Sequence, residues 1–247
     1  MGTGWILWIL LTFLTGNPLT ALVVVAALWF LGDRFTFRLF PDPLRFLGRW
    51  RRRAALRATL SRNPSDRRAR FELAQLLLDL HRPSAALTVL RPNLEAGDDD
   101  VHTAFLYGAL LARTGDHAQA ERVLGIARAE EPGYRLGEID LELGRSRLAA
   151  GDLRGAREAL ERLVAARPGT VQGRWLLSQA LLGLGEPEQA ARLRDEAWRE
   201  YVGLPRFKRP EERPFAWRAR PSRPIAIGLA VLAAAGLALG YIASSAP

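Results

Sequence analysis

The chain has 247 residues, enough for one or two domains, and its formal net charge at pH 7 is +9. It contains no cysteine, which excludes disulfides, thiolate metal sites and a cysteine nucleophile. Hydrophobic residues are concentrated at the two ends of the chain, and positive charge is concentrated just inside them. This distribution is typical of a chain that is held to a membrane at both ends.

The first predicted element is a transmembrane segment, residues 1–32. No charged side chain occurs between Gly4 and Leu31, a stretch of 28 residues, whereas a helix needs about 20 apolar residues to cross a bilayer. The tripeptide Gly16-Asn17-Pro18 interrupts the segment and predicts a kink or a break. Two interpretations stay open: one bent helix that crosses the membrane, which the total length favours, or a re-entrant hairpin of two half-helices.

A basic juxtamembrane helix is predicted next, within residues 33–63. Positions 33 to 62 contain nine Arg and two Asp, Asp42-Pro43 is typical of a helix start, and Asn63-Pro64 is typical of a helix end. Arginines interleaved with aromatic residues suit a helix that lies on anionic lipid headgroups. The predicted lipid contacts are Arg49, Trp50, Arg51, Arg52 and Arg53.

Two other interpretations of this basic segment stay open. The same composition is typical of nucleic-acid binding, but the position directly after a hydrophobic segment favours lipid, so no nucleic-acid partner is expected. A solvated charge cluster that only sets the orientation in the membrane would have the same sequence.

The middle of the chain, residues 64–202, is built from internal repeats. Gly115-Asp116 recurs after 36 residues as Gly151-Asp152, and after 34 more as Gly185-Glu186. An earlier copy has His81-Arg82-Pro83 at its turn. Other residues recur at constant spacing from the turns: small residues before them, alanines after them and prolines further on (Gly108, Gly144, Ser178; Ala120, Ala156, Ala190; Pro132, Pro168). The pattern predicts an all-α solenoid of about four helix-turn-helix units.

This period and these residues resemble the tetratricopeptide repeat family. With the hydrophobic and arginine-rich segments ahead of the repeats, the chain is also similar to membrane-bound tetratricopeptide proteins of bacteria. The chain departs from the family pattern in three places: Arg147 stands where an aromatic or aliphatic residue is usual, Arg194 replaces a core hydrophobic residue, and the first turn has lost its glycine. The resemblance implies a right-handed superhelix whose concave face, built from the first helices of the repeats, binds peptides or partner domains.

The resemblance also implies which side chains line that face. Aromatic side chains and arginines would suit a partner segment that carries apolar and acidic side chains, although each aromatic ring could instead pack between helices. The family's carboxylate clamp is not matched, because Phe71 and Gln75 stand where its lysine and asparagine are expected. The predicted partner-binding residues are Arg68, Phe71, Gln75, His102, Phe105, Arg113, Leu141, Arg145, Trp175 and Gln179.

No residue pattern indicates catalysis, a metal site or a cofactor. The histidines His81, His102 and His117 have no spacing that would place two of them on one helical face as metal ligands. The acidic run Asp98-Asp99-Asp100 is typical of a solvated linker and a helix N-cap. Phosphate-binding glycine loops and nucleophile motifs do not occur, so the chain is not predicted to be an enzyme.

The predicted end of the chain is a tether followed by a second transmembrane helix. Residues 203–224 are rich in proline and basic residues and predict a semi-extended tether. Residues 225–247 contain no charge over 23 residues. In that segment Gly236 and Gly240 would let another helix pack closely: the first span of the same chain, the same segment of a second copy, or another membrane protein. This pair is compatible with a homo-oligomer.

The location of the arginines predicts orientation and, with the repeats, a function. Positive segments stay on the cytoplasmic side, and both basic segments face the repeats, so the repeats are predicted to lie on the cytoplasmic face of a bacterial inner membrane. We therefore expect an adaptor or scaffold that binds a protein partner there, as an assembly or regulatory factor. The alternative is a structural subunit of a multispanning transport or secretion complex, with contacts made mainly by its spans.

Overall fold

The structure, a computed structural model, describes residues 43–97 and 100–226 together with residues 16, 17, 20, 24 and 229. The chain divides into two compact units, residues 1–52 and 53–247. The regular elements of the described residues are helices, with no strand among them. They are α1 (Pro43–Arg62), α2 (Arg67–Asp79), α3 (Pro83–Glu95), α4 (Val101–Thr114), α5 (His117–Glu130), a 3-10 turn (Tyr134–Leu136), α6 (Glu138–Ala150), α7 (Leu153–Ala166), α8 (Val171–Gly183), α9 (Pro187–Gly203) and α10 (Arg209–Ala219).

In the second and third helix pairs the same type of turn ends the first helix and starts the second. Gly115 and Gly151 have φ angles of 93° and 82°, a left-handed conformation that glycine adopts without a steric cost. Asp116 and Asp152 follow, and each carboxylate accepts a hydrogen bond from the amide three residues further on, at 3.1 and 2.9 Å. In the first pair His81 takes the place of the glycine, with a φ of 57°. The Gly-Asp repeat is thus a helix stop followed by a helix start.

Small residues bring the two helices of a pair into close contact. A Cβ atom at Gly108 would lie 2.6 Å from Leu124 Cγ, and one at Gly144 would lie 2.5 Å from Leu160 Cγ. Both leucines are fully buried, and burial of such a side chain stabilises the fold by about 1.5–3 kcal/mol. The recurring glycines therefore mark the places where the paired helices cross.

The two arginines that depart from the family pattern both have polar partners. Arg194 Nε donates a hydrogen bond to Ser178 Oγ at 3.4 Å, at the position where the preceding pairs place a leucine against a glycine. Arg147 Nε donates to the carboxylate of Glu121 on α5 at 2.9 Å, and its Nη1 donates to the carbonyl of Gly155 on α7 at 2.8 Å. This hydrogen bond to Glu121 raises the pKa of Arg147. Arg147 thus ties three successive helices together.

The core of the solenoid crosses from one helix pair to the next. One cluster joins Leu73 and Leu77 of α2, Leu90 of α3 and Leu110 of α4. A later cluster joins α6, α7, α8 and α9 (Leu141, Leu160, Leu163, Leu176, Leu177, Leu181, Ala190). Because each pair shares its apolar side with the next one, the predicted all-α solenoid of four helix pairs is confirmed for α2 to α9.

The basic segment contains the helix that the sequence predicts there. Helix α1 begins at Pro43 and ends at Arg62, before Asn63-Pro64. In the first unit, the side chains of residues 47–52 are exposed. In the second unit, Leu56 and Leu60 pack against the core of the first helix pair.

The prediction of a semi-extended tether at residues 203–224 is wrong for most of that segment, which is helical. Helix α10 occupies Arg209–Ala219 and packs on α8 and α9, with Ala216 and Ala219 buried against Val171 and Ala197. The acidic first turn and the basic last turn of α10 both match the helix dipole, and its alanines allow close packing. These terms outweigh Pro214, which lies inside the helix.

The predicted membrane spans lie almost wholly outside the described residues. Of the helices in the described ranges, none is both long enough and apolar enough to cross a bilayer. Segment 1–32 contains four described residues, and segment 225–247 contains three. Gly236 and Gly240 lie outside the described residues. The two spans stay predictions.

Candidate protein-interaction face

The face formed by the first helices of the pairs, α2, α4, α6 and α8, is called the first-helix face below. On it Arg68, Gln75 and His102 are exposed, and Phe71 and Phe105 are half-buried. The ring of Phe105 packs against that of Tyr134, with the ring centroids 5.1 Å apart. The two phenylalanines therefore contribute to packing and still present part of their surface.

A polar ladder connects three first helices. The carboxylate of Glu142 on α6 is only 7% exposed and pairs with Arg113 of α4 at 3.2 Å and with Arg145 of α6 at 2.5 Å. With its amide oxygen turned toward Arg145, Gln172 of α8 accepts a hydrogen bond from Arg145 Nε at 3.2 Å. Removing one partner of a buried ion pair leaves an uncompensated charge, so the ladder fixes the relative position of the helices. Arg113 and Arg145 thus have internal partners on this face.

Leu141 is not an accessible contact residue, contrary to the prediction. It is 4% exposed and belongs to the core cluster with Leu160 and Leu176. Leucine is shorter than the aromatic residues that hold the matching position in the other pairs, and its side chain stays within the cluster. Gln179 on α8 is half-buried.

Trp175 lies under helix α10. Its ring centroid is 5.7 Å from that of Phe215, and the Arg218 guanidinium carbon lies 5.4 Å from the centre of the Trp175 ring. Arg220 of the segment after α10 pairs with Asp195 of α9 at 2.5 Å. The chain's own helix therefore covers part of the tryptophan that the sequence predicts as a partner contact, and Trp175 stays half-buried.

Glu212 joins α10 to the start of α8. Its carboxylate accepts a hydrogen bond from the backbone N–H of Gln172 at 2.9 Å, within the first turn of α8. Burial raises the pKa of Glu212, and nearby Glu211 and Glu138 add to this, whereas the hydrogen bond and Arg167 act in the opposite direction. The ionised form of Glu212 is thus disfavoured in the docked helix.

A strained loop separates α5 from α6. It runs from Glu131 to Gly137, whereas only residues 167–170 separate α7 from α8, and this accounts for the longer spacing of the first two Gly-Asp turns. In it Arg135 and Leu136 have φ angles of 43° and 55°, left-handed values that cost about 1–3 kcal/mol for each non-glycine residue. Such strain is common at functional sites.

Buried Tyr134 anchors this loop. A hydrogen bond of 2.7 Å joins its hydroxyl to Nδ1 of His102 on α4, and the Arg135 guanidinium carbon lies 5.1 Å from the centre of its ring. Burial raises the pKa of Tyr134. The sequence predicts a contact role for His102 but says nothing of Tyr134 and Arg135, for which the longer spacing is the available signal.

The predicted lipid contacts lie on helix α1. Arg49, Trp50, Arg51 and Arg52 are exposed there, and Arg53 is half-buried.

The histidines form no metal site within the described residues. In the part of the chain that is described, no group of three or more histidine and acidic residues could hold a metal ion. His117 instead shares a 3.0 Å hydrogen bond with the Ser146 hydroxyl.

Comparison with a protein-family model identifies the helix pairs. The model named tetratricopeptide repeat matches residues 46–100 and 141–201. The helix pairs within these two ranges, α2 with α3, α6 with α7 and α8 with α9, are tetratricopeptide repeats. A search of curated proteins found no match to the chain.

Solved structures that resemble the tetratricopeptide solenoid include two named proteins. A crystal structure of MamA is 18% identical over 61% of this chain and 87% of its own, with a TM-score of 0.54. A MamA structure from Desulfovibrio magneticus RS-1, residues 41 to the end, is 20% identical over 65% of this chain and 92% of its own, with a TM-score of 0.57. PilW, described as a widely conserved type IV pilus biogenesis factor, is 18% identical over 72% of this chain and 86% of its own, with a TM-score of 0.59. At these identities the likeness concerns the fold.

Proposed function

We propose that the chain is a membrane-anchored adaptor whose tetratricopeptide solenoid binds a protein partner on the cytoplasmic side, as an assembly or regulatory factor. The observation that carries the binding role is the first-helix face. There the exposed side chains of Arg68, Gln75 and His102 lie on the same face as the partly exposed rings of Phe71 and Phe105. Aromatic and arginine side chains dominate binding energy in protein interfaces, and tetratricopeptide solenoids are interaction scaffolds.

The anchoring role is supported by the sequence. The uncharged stretches from Gly4 to Leu31 and from 225 to 247 are each as long as a bilayer-spanning helix requires, which is about 20 residues. A net charge of +7 in residues 33 to 62 and +5 in residues 203 to 223 flanks the solenoid on its two sides. Basic flanks favour a cytoplasmic solenoid and attraction to anionic lipid.

Affinity isolation from membranes tests the binding role. The test variant exchanges Arg68 and Gln75 for alanine, because these exposed side chains contribute little to the core, and it keeps His102, which is hydrogen-bonded to buried Tyr134. The control variant exchanges exposed Arg91 and Arg122, which lie on second helices. We expect the test variant to lose proteins that the wild type and the control retain. Equal protein lists from all three would contradict the proposal.

Membrane fractionation tests the anchoring role separately. We expect the full chain to stay in the membrane pellet after washing with concentrated salt and with alkaline carbonate, and to be released when both segments 1–32 and 225–247 are deleted. Protease added to inverted membrane vesicles should digest the solenoid, whereas protease added to spheroplasts should leave it intact. Release of the full chain by salt alone would contradict anchoring by spans.

A further inference from the structure

The loop between α9 and α10, residues 204–208, exposes apolar and basic side chains together. Phe207 is 65% exposed, and Arg206 and Lys208 on its two sides are exposed as well. Val202, in the last turn of α9, is 53% exposed. We propose that this loop docks on the surface of an anionic lipid bilayer, with the Phe207 ring inserted among the headgroups, an inference that rests on the membrane anchoring proposed above.

Hydrogen bonds hold the loop in one shape. Arg209, in the first turn of α10, donates from Nη2 to the carbonyl of Val202 at 2.7 Å and from Nε to the carbonyl of Leu204 at 2.8 Å. The carbonyls in the last turn of a helix have no partner within the helix, and a cation is favourable beside them. The Lys208 backbone N–H donates to the carbonyl of Pro205 at 3.0 Å. The exposed phenylalanine is therefore presented on a braced turn.

A contact after α10 places the start of the predicted C-terminal span beside α9. The Arg223 guanidinium carbon lies 5.7 Å from the centre of the Trp198 ring. The uncharged segment 225–247 begins two residues after Arg223, a reach of at most about 7 Å. Trp198 lies one turn before Val202, about 6 Å along the axis of α9. A bilayer that takes up segment 225–247 would therefore lie close to the end of α9 and to the loop that follows it.

The charges near the loop favour an anionic surface. From Arg199 to Arg209 the chain has four basic side chains and one acidic one, Glu200. Glu200 pairs with Arg174 of α8 at 3.6 Å, whereas Arg199 is exposed on the same face of α9 as Val202, three residues later. Basic side chains are attracted to anionic headgroups, and aromatic rings favour the boundary between headgroups and acyl chains.

The acidic residues that follow the loop do not cancel this charge. Glu212 is bound to the start of α8 through the backbone N–H of Gln172, and only Glu211 is exposed. Among the exposed charged residues from position 199 to position 212, three are basic and one is acidic (Arg199, Arg206, Lys208; Glu211).

The position of the loop is compatible with partner binding elsewhere on the solenoid. The loop follows α9, the last helix of the last pair, whereas the exposed Arg68 and Gln75 lie on α2, the first helix of the first pair. Docking of the loop on lipid leaves these two side chains accessible to a protein partner.

A fluorescent probe at position 207 of the full-length chain tests the docking. The chain contains no cysteine, so Phe207→Cys provides a single site for a nitrobenzoxadiazole label. Ile126→Cys, on α5, is the matched control, because Ile126 is 68% exposed. Each labelled chain is reconstituted in nanodiscs of phosphatidylcholine and phosphatidylglycerol, with and without a lipid that carries a nitroxide quencher near its headgroup.

The expected result is a probe at position 207 that is in contact with lipid. Its emission should shift to shorter wavelength and be quenched by the nitroxide lipid, whereas the probe at position 126 should show neither effect. Equal quenching at the two positions, or no quenching at position 207, would overturn the docking.

Neutral variants of the loop test the role of charge. Arg206→Gln with Lys208→Gln, in the chain labelled at position 207, should lower the ratio of docked to free loop by about thirtyfold, about fivefold for each basic residue. Arg91→Gln with Arg122→Gln, which removes the same charge from exposed positions on second helices, should leave the ratio unchanged. Equal ratios in the two double variants would contradict attraction of the loop to anionic lipid.

Three outcomes show which proposal fails. Retention of the chain in the bilayer after alkaline carbonate, with no quenching at position 207, overturns the docking and leaves the anchoring intact. Release of the chain by carbonate overturns the anchoring and the docking together. A probe at position 207 that is shielded in native membranes but not in nanodiscs of pure lipid assigns the loop to a protein partner and overturns the lipid assignment.

Discussion

Replacing Gly144 with alanine tests whether the paired helices pack as closely as the structure shows. A Cβ atom at Gly144 would lie 2.5 Å from Leu160 Cγ and 2.6 Å from its Cδ2. Leu160 is fully buried and cannot move without disturbing the surrounding core. Overpacking of this kind costs about 1–3 kcal/mol. The exchange of glycine for alanine inside a helix offsets about 1 kcal/mol of that cost.

Gly125 provides a matched control in the interior of α5. A Cβ atom there would have no atom within 4 Å, so Gly125→Ala should raise the free energy of unfolding by about 0.5–1 kcal/mol. Both variants share the change in helix propensity. The free energy of unfolding of Gly144→Ala should therefore fall about 1–3 kcal/mol below that of Gly125→Ala, through overpacking alone.

Urea denaturation followed by far-ultraviolet circular dichroism measures this difference. In a Leu160→Ala background the obstructing side chain is gone, and Gly144→Ala should then be as favourable as Gly125→Ala. Equal stabilisation by the two glycine exchanges in the presence of Leu160 would refute the close approach of α6 and α7.

Three further predictions concern contacts between helices. Arg147→Ala should lower the free energy of unfolding by about 1–2 kcal/mol, since it removes a partly exposed charge-assisted hydrogen bond to Glu121; unchanged urea denaturation would contradict this. Because burial raises the pKa of Glu212 above the usual glutamate value of about 4.3, docking of α10 should strengthen as the pH falls from the raised value toward 4.3 and weaken as it rises. Glu212→Gln should abolish this pH dependence of proteolytic protection, and a retained pH profile would count against the buried carboxylate. Phe215→Ala should weaken α10 docking by about 1–3 kcal/mol through lost packing on Trp175, and hydrogen exchange in 209–219 that matches the wild type would speak against it.

The sequence predicts the solenoid well because its signals are local. Gly115-Asp116 and Gly151-Asp152 each contain a left-handed helix stop and a side-chain N-cap, and both act within a few residues. The glycine and leucine pairs, such as Gly144 with Leu160, recur at a constant spacing that helix crossing requires. Helix boundaries therefore follow from short sequence patterns.

The details of the first-helix face depend on contacts between distant residues. Glu142 would be an expensive group to bury alone, and its burial depends on Arg113, 29 residues earlier in the chain. Helix α10 contains Pro214, which argues against a helix until packing on α8 and α9 is known. The longer Gly115 to Gly151 spacing indicates extra residues but not that they would adopt strained angles and place Arg135 over the Tyr134 ring.

The most direct test of partner binding by the first-helix face is photocrosslinking in intact cells. A photoreactive amino acid replaces Gln75, an exposed residue of first helix α2, and in a separate variant it replaces Thr88, an exposed residue of second helix α3. We predict a discrete crosslinked protein with the probe at position 75 and none with the probe at position 88. The same crosslinks from both positions, or crosslinks from position 88 alone, would contradict the assignment of partner binding to the first helices.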